Sequence, residues 1–232
     1  MNRYARQEAL IGKEGQSKLA ESTVAIVGCG GLGTYTSLLL ALSGAGNLIL
    51  IDGGEPEETD LNRQFFYSGR SGRKAEILAE KLSEANPSVN IRTECSYLDE
   101  NNAEKLTEGC DVIADCLDTV SSRRVLNRYA LKNSIPLAHA GIDGMHGQVF
   151  LVVPGVTPCL ECFMRGDDGR IPDAYAPAVS LASSVQASEI IKYITGTGKP
   201  SGLFSFSLSD GTFSVTEIKP DPLCPACGTH SK

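Results

Sequence analysis

The sequence predicts an α/β protein built on a doubly wound sheet, parallel in its N-terminal half and mixed or antiparallel in its C-terminal half. Three observations predict it. Residues 24–52 run apolar strand, glycine loop, apolar helix and second strand. Strand and helix go on alternating as far as residue 132, the pattern of crossover connections within a parallel sheet. Near the C-terminus, "GLFSFSL" and "TFSVTEI" are joined by a short turn, which makes neighbouring strands antiparallel.

Taken in order, residues 24–27 read as a buried strand, 32–43 as a helix and 48–51 as the next strand, one βαβ unit. A helix over 73–85 follows, with Ala75, Leu78, Ala79 and Leu82 at i, i+3, i+4 and i+7, and Asn86-Pro87 stops it. "VNIRTE" (89–94) and "CDVIADC" (110–116) have strand character, the second leading into a helix over 121–132. After Pro136 come "PLAHAG", a strand over 147–153, a loop over 154–177 rich in Pro, Gly and Asp, and a helix over 179–194. There is no internal repeat or linker, so one domain over 1–232 is expected, with its halves meeting at 135/136.

Composition narrows the function classes. The chain has 232 residues, 41% hydrophobic and 21% charged, an ordinary globular balance, and its net charge of −7 argues against nucleic acid or acidic lipid as a partner. "MNRYARQEALIGKEGQ" is too polar for a signal peptide, and no apolar run approaches the roughly twenty residues that span a bilayer. A cytoplasmic protein with no membrane segment is expected.

Gly28, Gly30 and Gly33, with Gly31 between, spell G-x-G-x-x-G between strand and helix. Asp52 ends the next strand about twenty residues on, where a Rossmann-like fold meets ribose hydroxyls. The first glycine permits the tight turn, the second lets backbone approach phosphate, and the third lets helix and strand pack, while amides at the helix start face an anion. The loop alone says nucleotide without saying which. A dinucleotide's phosphate bridge is largely satisfied by such amides, whereas a triphosphate needs cations as well. Arg63, Arg73 and Lys74 follow the loop, and Arg3 and Arg6 stand at the N-terminus. That set suits ATP. "GTGKPS" is not a phosphate loop of the other type, since Pro200 stands where Ser or Thr should hold magnesium. A carboxylate for magnesium is offered by Asp118, at the end of a parallel strand, with Asp115 competing and one of the two free to cap the following helix.

With these residues in hand the chain resembles the MoeB/ThiF/HesA adenylyltransferases, relatives of the ubiquitin-activating enzymes. "RYARQ", "VGCGGLG", "GAGNLILID", "DLNRQ", "GRKAE", "DCLD", C-x-x-C, "QASEIIK" and "CPAC" stand in the family's order over essentially the whole chain. The resemblance implies ATP-dependent adenylation of the C-terminal glycine of a small ubiquitin-like carrier. It implies that Arg63 and Lys74 contact phosphates, Asp52 holds ribose, Asp118 serves magnesium, and Arg6 reaches the triphosphate of the neighbouring subunit in a homodimer. Asp60 and Asn62 belong to the same cofactor-facing stretch. The family usually has Asn where this chain has Asp60, which puts that position's part in nucleotide binding in question.

Such chemistry needs no protein nucleophile. The attacking carboxylate is ionised at neutral pH, so catalysis falls to positioning and electrostatics, for which Arg63, Lys74, Asp118 and Arg6 are the candidates. The three histidines, His139, His146 and His230, are expected to be structural, His139 as a satisfied core residue.

Four of the eight cysteines form two C-x-x-C pairs, Cys159/Cys162 and Cys224/Cys227. Two such turns can complete a closed tetrahedral zinc site, a structural one that ties the C-terminal tail to the loop after the 147–153 strand; a redox-active pair is the alternative. The resemblance implies zinc at all four. Cys29 and Cys116 are read as packing residues. No cysteine lies between Cys162 and Cys224, where relatives that form a thioester or acyl-disulfide carry a nucleophile. The reaction is therefore expected to stop at the acyl-adenylate, with sulfide or an external persulfide donor taking over. The competing readings are an NAD-dependent oxidoreductase, which the loop alone favours, and a catalytically silent nucleotide-binding scaffold, which would have no need of Arg63, Lys74 and Asp118 together.

Overall fold

Among the first five strands a helix stands between each consecutive pair, and this dictates their direction. In chain order they are β1 (Thr23–Val27), α2 (Gly31–Ser43), β2 (Asn47–Ile51), α3 (Lys74–Ala85), β3 (Asn90–Glu94), α4 (Ala103–Leu106), β4 (Val112–Asp115), α5 (Val120–Lys132) and β5 (Leu137–Asp143), with α1 (Ala5–Glu21) ahead of them. A strand that returns through a helical crossover lies parallel to its neighbour, and the β1–β2, β2–β3, β1–β4 and β4–β5 pairs are all parallel. The computed structural model describes residues 2–164, 166, 169–170 and 172–228. His230 lies outside the described residues.

From β5 the chain turns back at Gly144 and Met145 into β6 (His146–Val152), Gly144 taking the positive φ of 58° that the tight turn requires. The β5–β6, β6–β7 and β7–β8 pairs are antiparallel, with β7 (Leu203–Ser207) and β8 (Thr212–Thr216) following α6 (Ala176–Thr195). All eight strands form one sheet in the order β3-β2-β1-β4-β5-β6-β7-β8. The C-terminal half is mixed as expected: β5 still pairs parallel with β4, because α5 precedes it and imposes one more crossover, and antiparallel pairing follows.

Both faces of the sheet are covered, which is why its central strands are continuous apolar runs. On one side α1, α2, α3 and α6 bury Leu19, Leu40, Leu78 and Ile190 against Val24, Ile26, Leu48 and Leu50. On the other, α5 and the 3-10 turn Leu160–Cys162 bury Leu126, Ala130 and Leu160 against Ala25, Val27, Ile113 and Val152. α1 has no counterpart in the sequence reading, which placed no element before residue 24. It buries only Gly15, Gln16 and Leu19 and breaks at Gly12, so its apolar periodicity is faint. As expected, "GTGKPS" is a turn: Gly196, at φ 71°, caps α6. Among the described residues no helix is long and apolar enough to cross a membrane.

Candidate active site and metal centre

β1 and β4 lie side by side although their crossovers leave in opposite directions, and such a switch point opens a crevice at the C-terminal strand ends. A cavity of about 520 Å³ occupies it, within the range of small-molecule sites. Gly28, Gly30, Gly31, Asp52, Asp60, Arg63, Lys74 and Asp118 all line it.

Two glycines make the turn possible. Gly28 has φ 96°, and a Cβ there would stand 2.6 Å from the Cys116 carbonyl oxygen; a Cβ on Gly33 would stand 1.9 Å from the Gly28 carbonyl oxygen. The loop after β1 thus packs backbone to backbone against the loop after β4, and α2 packs onto its own entry turn. Over Gly30 the nearest atom to such a Cβ would be Gln64 Nε2 at 3.7 Å, so the backbone there faces the cavity. No side chain caps the start of α2, and no acid sits in its first turn, which leaves the helix dipole open to an anion. Asp52 braces the loop: its carboxylate accepts from the Cys29 amide at 2.7 Å and the Gly54 amide at 2.6 Å. The buried Tyr67 hydroxyl donates to the Cys29 carbonyl at 2.5 Å.

The cations cluster around Asp60, which is only 8% exposed. Lys74 Nζ is 2.7 Å from its Oδ2 and Arg63 Nη2 is 3.4 Å from its Oδ1. Gln64 Nε2 donates to Oδ1 at 2.7 Å, and the Glu57 amide donates to Oδ2 at 3.1 Å. Burial alone would raise the Asp60 pKa, but the Lys74 hydrogen bond, the Glu57 amide and the two positive charges outweigh it and hold the carboxyl below its usual range. Asn62 does not line the cavity; its Oδ1 accepts from Arg63 Nη1 at 2.8 Å, and so it orients the guanidinium. Arg73 turns to the Gly53 carbonyl at 2.9 Å, and Arg3 to the Ala85 carbonyl at 3.1 Å. Arg6, exposed on α1, is absent from the cavity wall of its own chain.

The two candidate acids after β4 part company. Asp118 is exposed at the cavity edge and makes no hydrogen bond or ion pair with the described residues. Asp115 is fully buried and committed: its Oδ2 lies 2.7 Å from His139 Nδ1 and 3.4 Å from Arg123 Nη1, and its Oδ1 accepts from the Leu117 amide at 3.1 Å. Neither caps α5. Thr119 does, accepting from the Ser122 amide at 3.3 Å, because it is the residue in the cap position with extended backbone. Arg123 ties this network to the cavity edge by donating to the Leu117 and Ala140 carbonyls. Gln64, Tyr67 and Arg123 were missed by the sequence reading. For Arg123 a signal exists: a cation in a helix's first turn opposes the dipole and needs an anion to hold it.

Burial pushes the Cys29 thiol well above its ordinary pKa and the Cys116 thiol, with the Asp115 charge assisting, to about 12. Neither is a nucleophile at neutral pH. On the other face of the sheet the sulfurs of Cys159, Cys162, Cys224 and Cys227 lie within 4.8 Å of one another, with Cys159–Cys224 at 3.6 Å and Cys162–Cys227 at 3.4 Å. A tetrahedral Zn–S₄ centre has sulfur–sulfur edges of about 3.8 Å, so the four residues fit one. A second, more open cavity of about 590 Å³ lies near them, but its arginines are engaged: Arg128 with Glu161 at 2.8 Å, Arg124 with the Gly166 carbonyl at 3.0 Å.

Comparison with known proteins identifies the family and the fold. The ThiF family model matches residues 4–226. HesA (vegetative) of Trichormus variabilis is 35% identical over 100% of this chain and 91% of its own length. The sulfur carrier protein ThiS adenylyltransferase of Bacillus subtilis is 32% identical over 98% of this chain and 71% of its own. Among solved structures, E. coli MccB with ATP superposes with a TM-score of 0.87 at 25% identity, covering 97% of this chain and 74% of that one.

Proposed function

As a member of the ThiF family this chain is an adenylyltransferase, and we propose that its substrate is the C-terminal glycine of a small ubiquitin-like sulfur carrier of the ThiS/MoaD type. In the proposed reaction a carboxylate oxygen of the carrier attacks the α-phosphorus of ATP, the bond to the β-phosphate bridge breaks, and pyrophosphate leaves. The product is the carrier acyl-adenylate. The observation that carries this reading is the meeting of a glycine turn, two cations and a partner-free carboxylate in one cavity. A dinucleotide enzyme needs the first but not the other two.

The roles divide by charge. Amides at the start of α2 would face the phosphates, with Arg63 and Lys74 neutralising the charge that builds on the leaving pyrophosphate. Asp52, which already braces the loop, would offer its remaining lone pairs to ribose hydroxyls, and Asp118 would serve magnesium, whose charge offsets that of the triphosphate. Arg6, outside its own chain's cavity, would act from a second copy of the chain in a homodimer. The four cysteines would hold a structural zinc and take no part in the reaction. With Cys29 and Cys116 buried and protonated, and no cysteine between Cys162 and Cys224, the chain has no thiol to accept the acyl group within that segment. The adenylate therefore passes to sulfide or an external persulfide donor. Residues 1–232 would form one adenylation domain, 1–135 binding nucleotide and 136–232 holding the zinc and docking the carrier.

ATP–pyrophosphate exchange tests the proposal. Exchange that depends on a carrier ending in Gly-Gly upholds it. Tight NADH binding without exchange would replace it with the oxidoreductase reading, and ATP binding with no exchange for any carrier with the silent scaffold.

A further inference from the structure

Asp60 is a carboxylate set among the groups that would meet the triphosphate. Its side chain is 12% exposed, Lys74's 13% and Arg63's 22%, so the three share one half-closed corner of the cavity. Each oxygen has two donors, Lys74 and the Glu57 amide on Oδ2, Gln64 and Arg63 on Oδ1. An ionised carboxylate so placed is no phosphate ligand, since like charges repel. Its effect falls on the cations. Lys74 and Arg63 would repel each other in an empty site, and Asp60 holds both in place; when phosphate arrives, it remains as a competing anion.

We infer that Asp60 is a positioning residue that fixes Lys74 and Arg63 and sets how tightly the site holds pyrophosphate. The inference rests on the reading of this cavity as an ATP site. With two unshared cations the leaving pyrophosphate would be held tightly and released slowly. With Asp60 between them, each cation has a protein partner to return to as the product departs. Asparagine would keep the shape without the charge, which makes Asp60→Asn the informative variant.

The experiment compares wild type, Asp60→Asn and Asp60→Ser by calorimetric titration with inorganic pyrophosphate and magnesium over a range of salt concentrations, with thermal unfolding alongside. Asp60→Asn should bind pyrophosphate about three- to ten-fold more tightly, the effect of one partly screened charge, and lose that affinity more steeply with salt. In turnover, kcat and the KM for ATP should fall together. Asp60→Ser should shift pyrophosphate binding the same way, and it carries the test if Asp60→Asn fails to fold. A role confined to structure would lower the unfolding temperature without tightening pyrophosphate binding. Unchanged or weaker binding in a variant that unfolds at the wild-type temperature overturns the inference. Carrier-dependent exchange by the wild type tests the ATP reading separately, so the two can fail independently.

Discussion

Acidification should destabilise this protein through one histidine. His139 has no exposed surface; its Nδ1 lies 2.7 Å from Asp115 Oδ2, and Gln148 Nε2 lies 3.2 Å from its Nε2. A neutral ring that donates from Nδ1 and accepts at Nε2 satisfies Asp115 and Gln148, while Arg123 Nη1, 2.7 Å from Nδ1, sets a positive charge against protonation. Burial, aided by the Arg123 charge, holds its pKa below the ordinary value against the opposing pull of Asp115. In the unfolded chain histidine titrates near 6.5, so as pH falls below about 6.5 the unfolded state takes up a proton that the folded state refuses. The stability this group contributes is complete above that value and is lost progressively down to its depressed folded pKa. The slope is at most about 1.4 kcal/mol per pH unit, so at pH 5.5 the loss is up to about 1.4 kcal/mol. For a chain of this size that is about 3–6 °C in Tm. Asp115 acts lower: its pKa is depressed, since the Arg123 charge and the His139 hydrogen bond outweigh burial, so its contribution is lost only below the ordinary carboxylate range. The assay is urea unfolding of wild type and His139→Asn at pH 7.5, 6.5 and 5.5. Asn keeps a donor near Nδ1 and does not titrate, while His146 and His230 are common to both proteins. The difference between the two curves should close as pH falls. Parallel curves across the three values would refute a neutral, buried His139.

Other changes separate the parts of the site. Arg63→Ala or Lys74→Ala should cost about 2–4 kcal/mol of transition-state stabilisation, roughly 30- to 1,000-fold in exchange rate, and near-normal exchange in both would show that the phosphates lie elsewhere. Cys224→Ser should lower bound zinc, measured by elemental analysis, and lower Tm by about 2–4 °C for each kcal/mol lost; unchanged zinc content would defeat the metal assignment. Gly33→Ala should destabilise the fold by about 1–3 kcal/mol or more, because the Gly28 carbonyl occupies the space of the new methyl group. Gly30→Ala should unfold near the wild-type temperature yet bind ATP more weakly in titration, because its methyl group would project into the cavity; equal ATP affinity would remove Gly30 from the phosphate path.

The βαβ unit over 24–52 was legible because its strands are uninterrupted apolar runs and its turn needs glycine at fixed spacing. The paired cysteines were legible for a like reason, since C-x-x-C is a local geometry. What could not be read is what the fold brings together from afar. Asp115, Arg123 and His139 meet across separations of 8, 16 and 24 residues, and no local pattern marks them as one network. Asn62 belongs by sequence to the cofactor-facing stretch, but side-chain direction in a short irregular segment does not follow from spacing, and it turns to Arg63. The helix cap after β4 is Thr119, because α5 begins at Val120 and neither Asp115 nor Asp118 stands directly before it. α1 escaped because three buried residues in seventeen leave too weak a period to detect.

The contact between Gly28 and the Cys116 carbonyl has a thermodynamic consequence. With no side chain between them, the turn after β1 packs directly on the segment that carries Asp118, so a displacement of one presses on the other. A divalent ion held at Asp118 would thereby be coupled to whatever occupied the turn, and such coupling is symmetric: the factor by which the metal changed affinity for nucleotide would equal the factor by which nucleotide changed affinity for the metal. Replacing Gly28 would alter both affinities through one shared displacement, so a variant at a position that touches neither ligand by side chain would change their cooperativity.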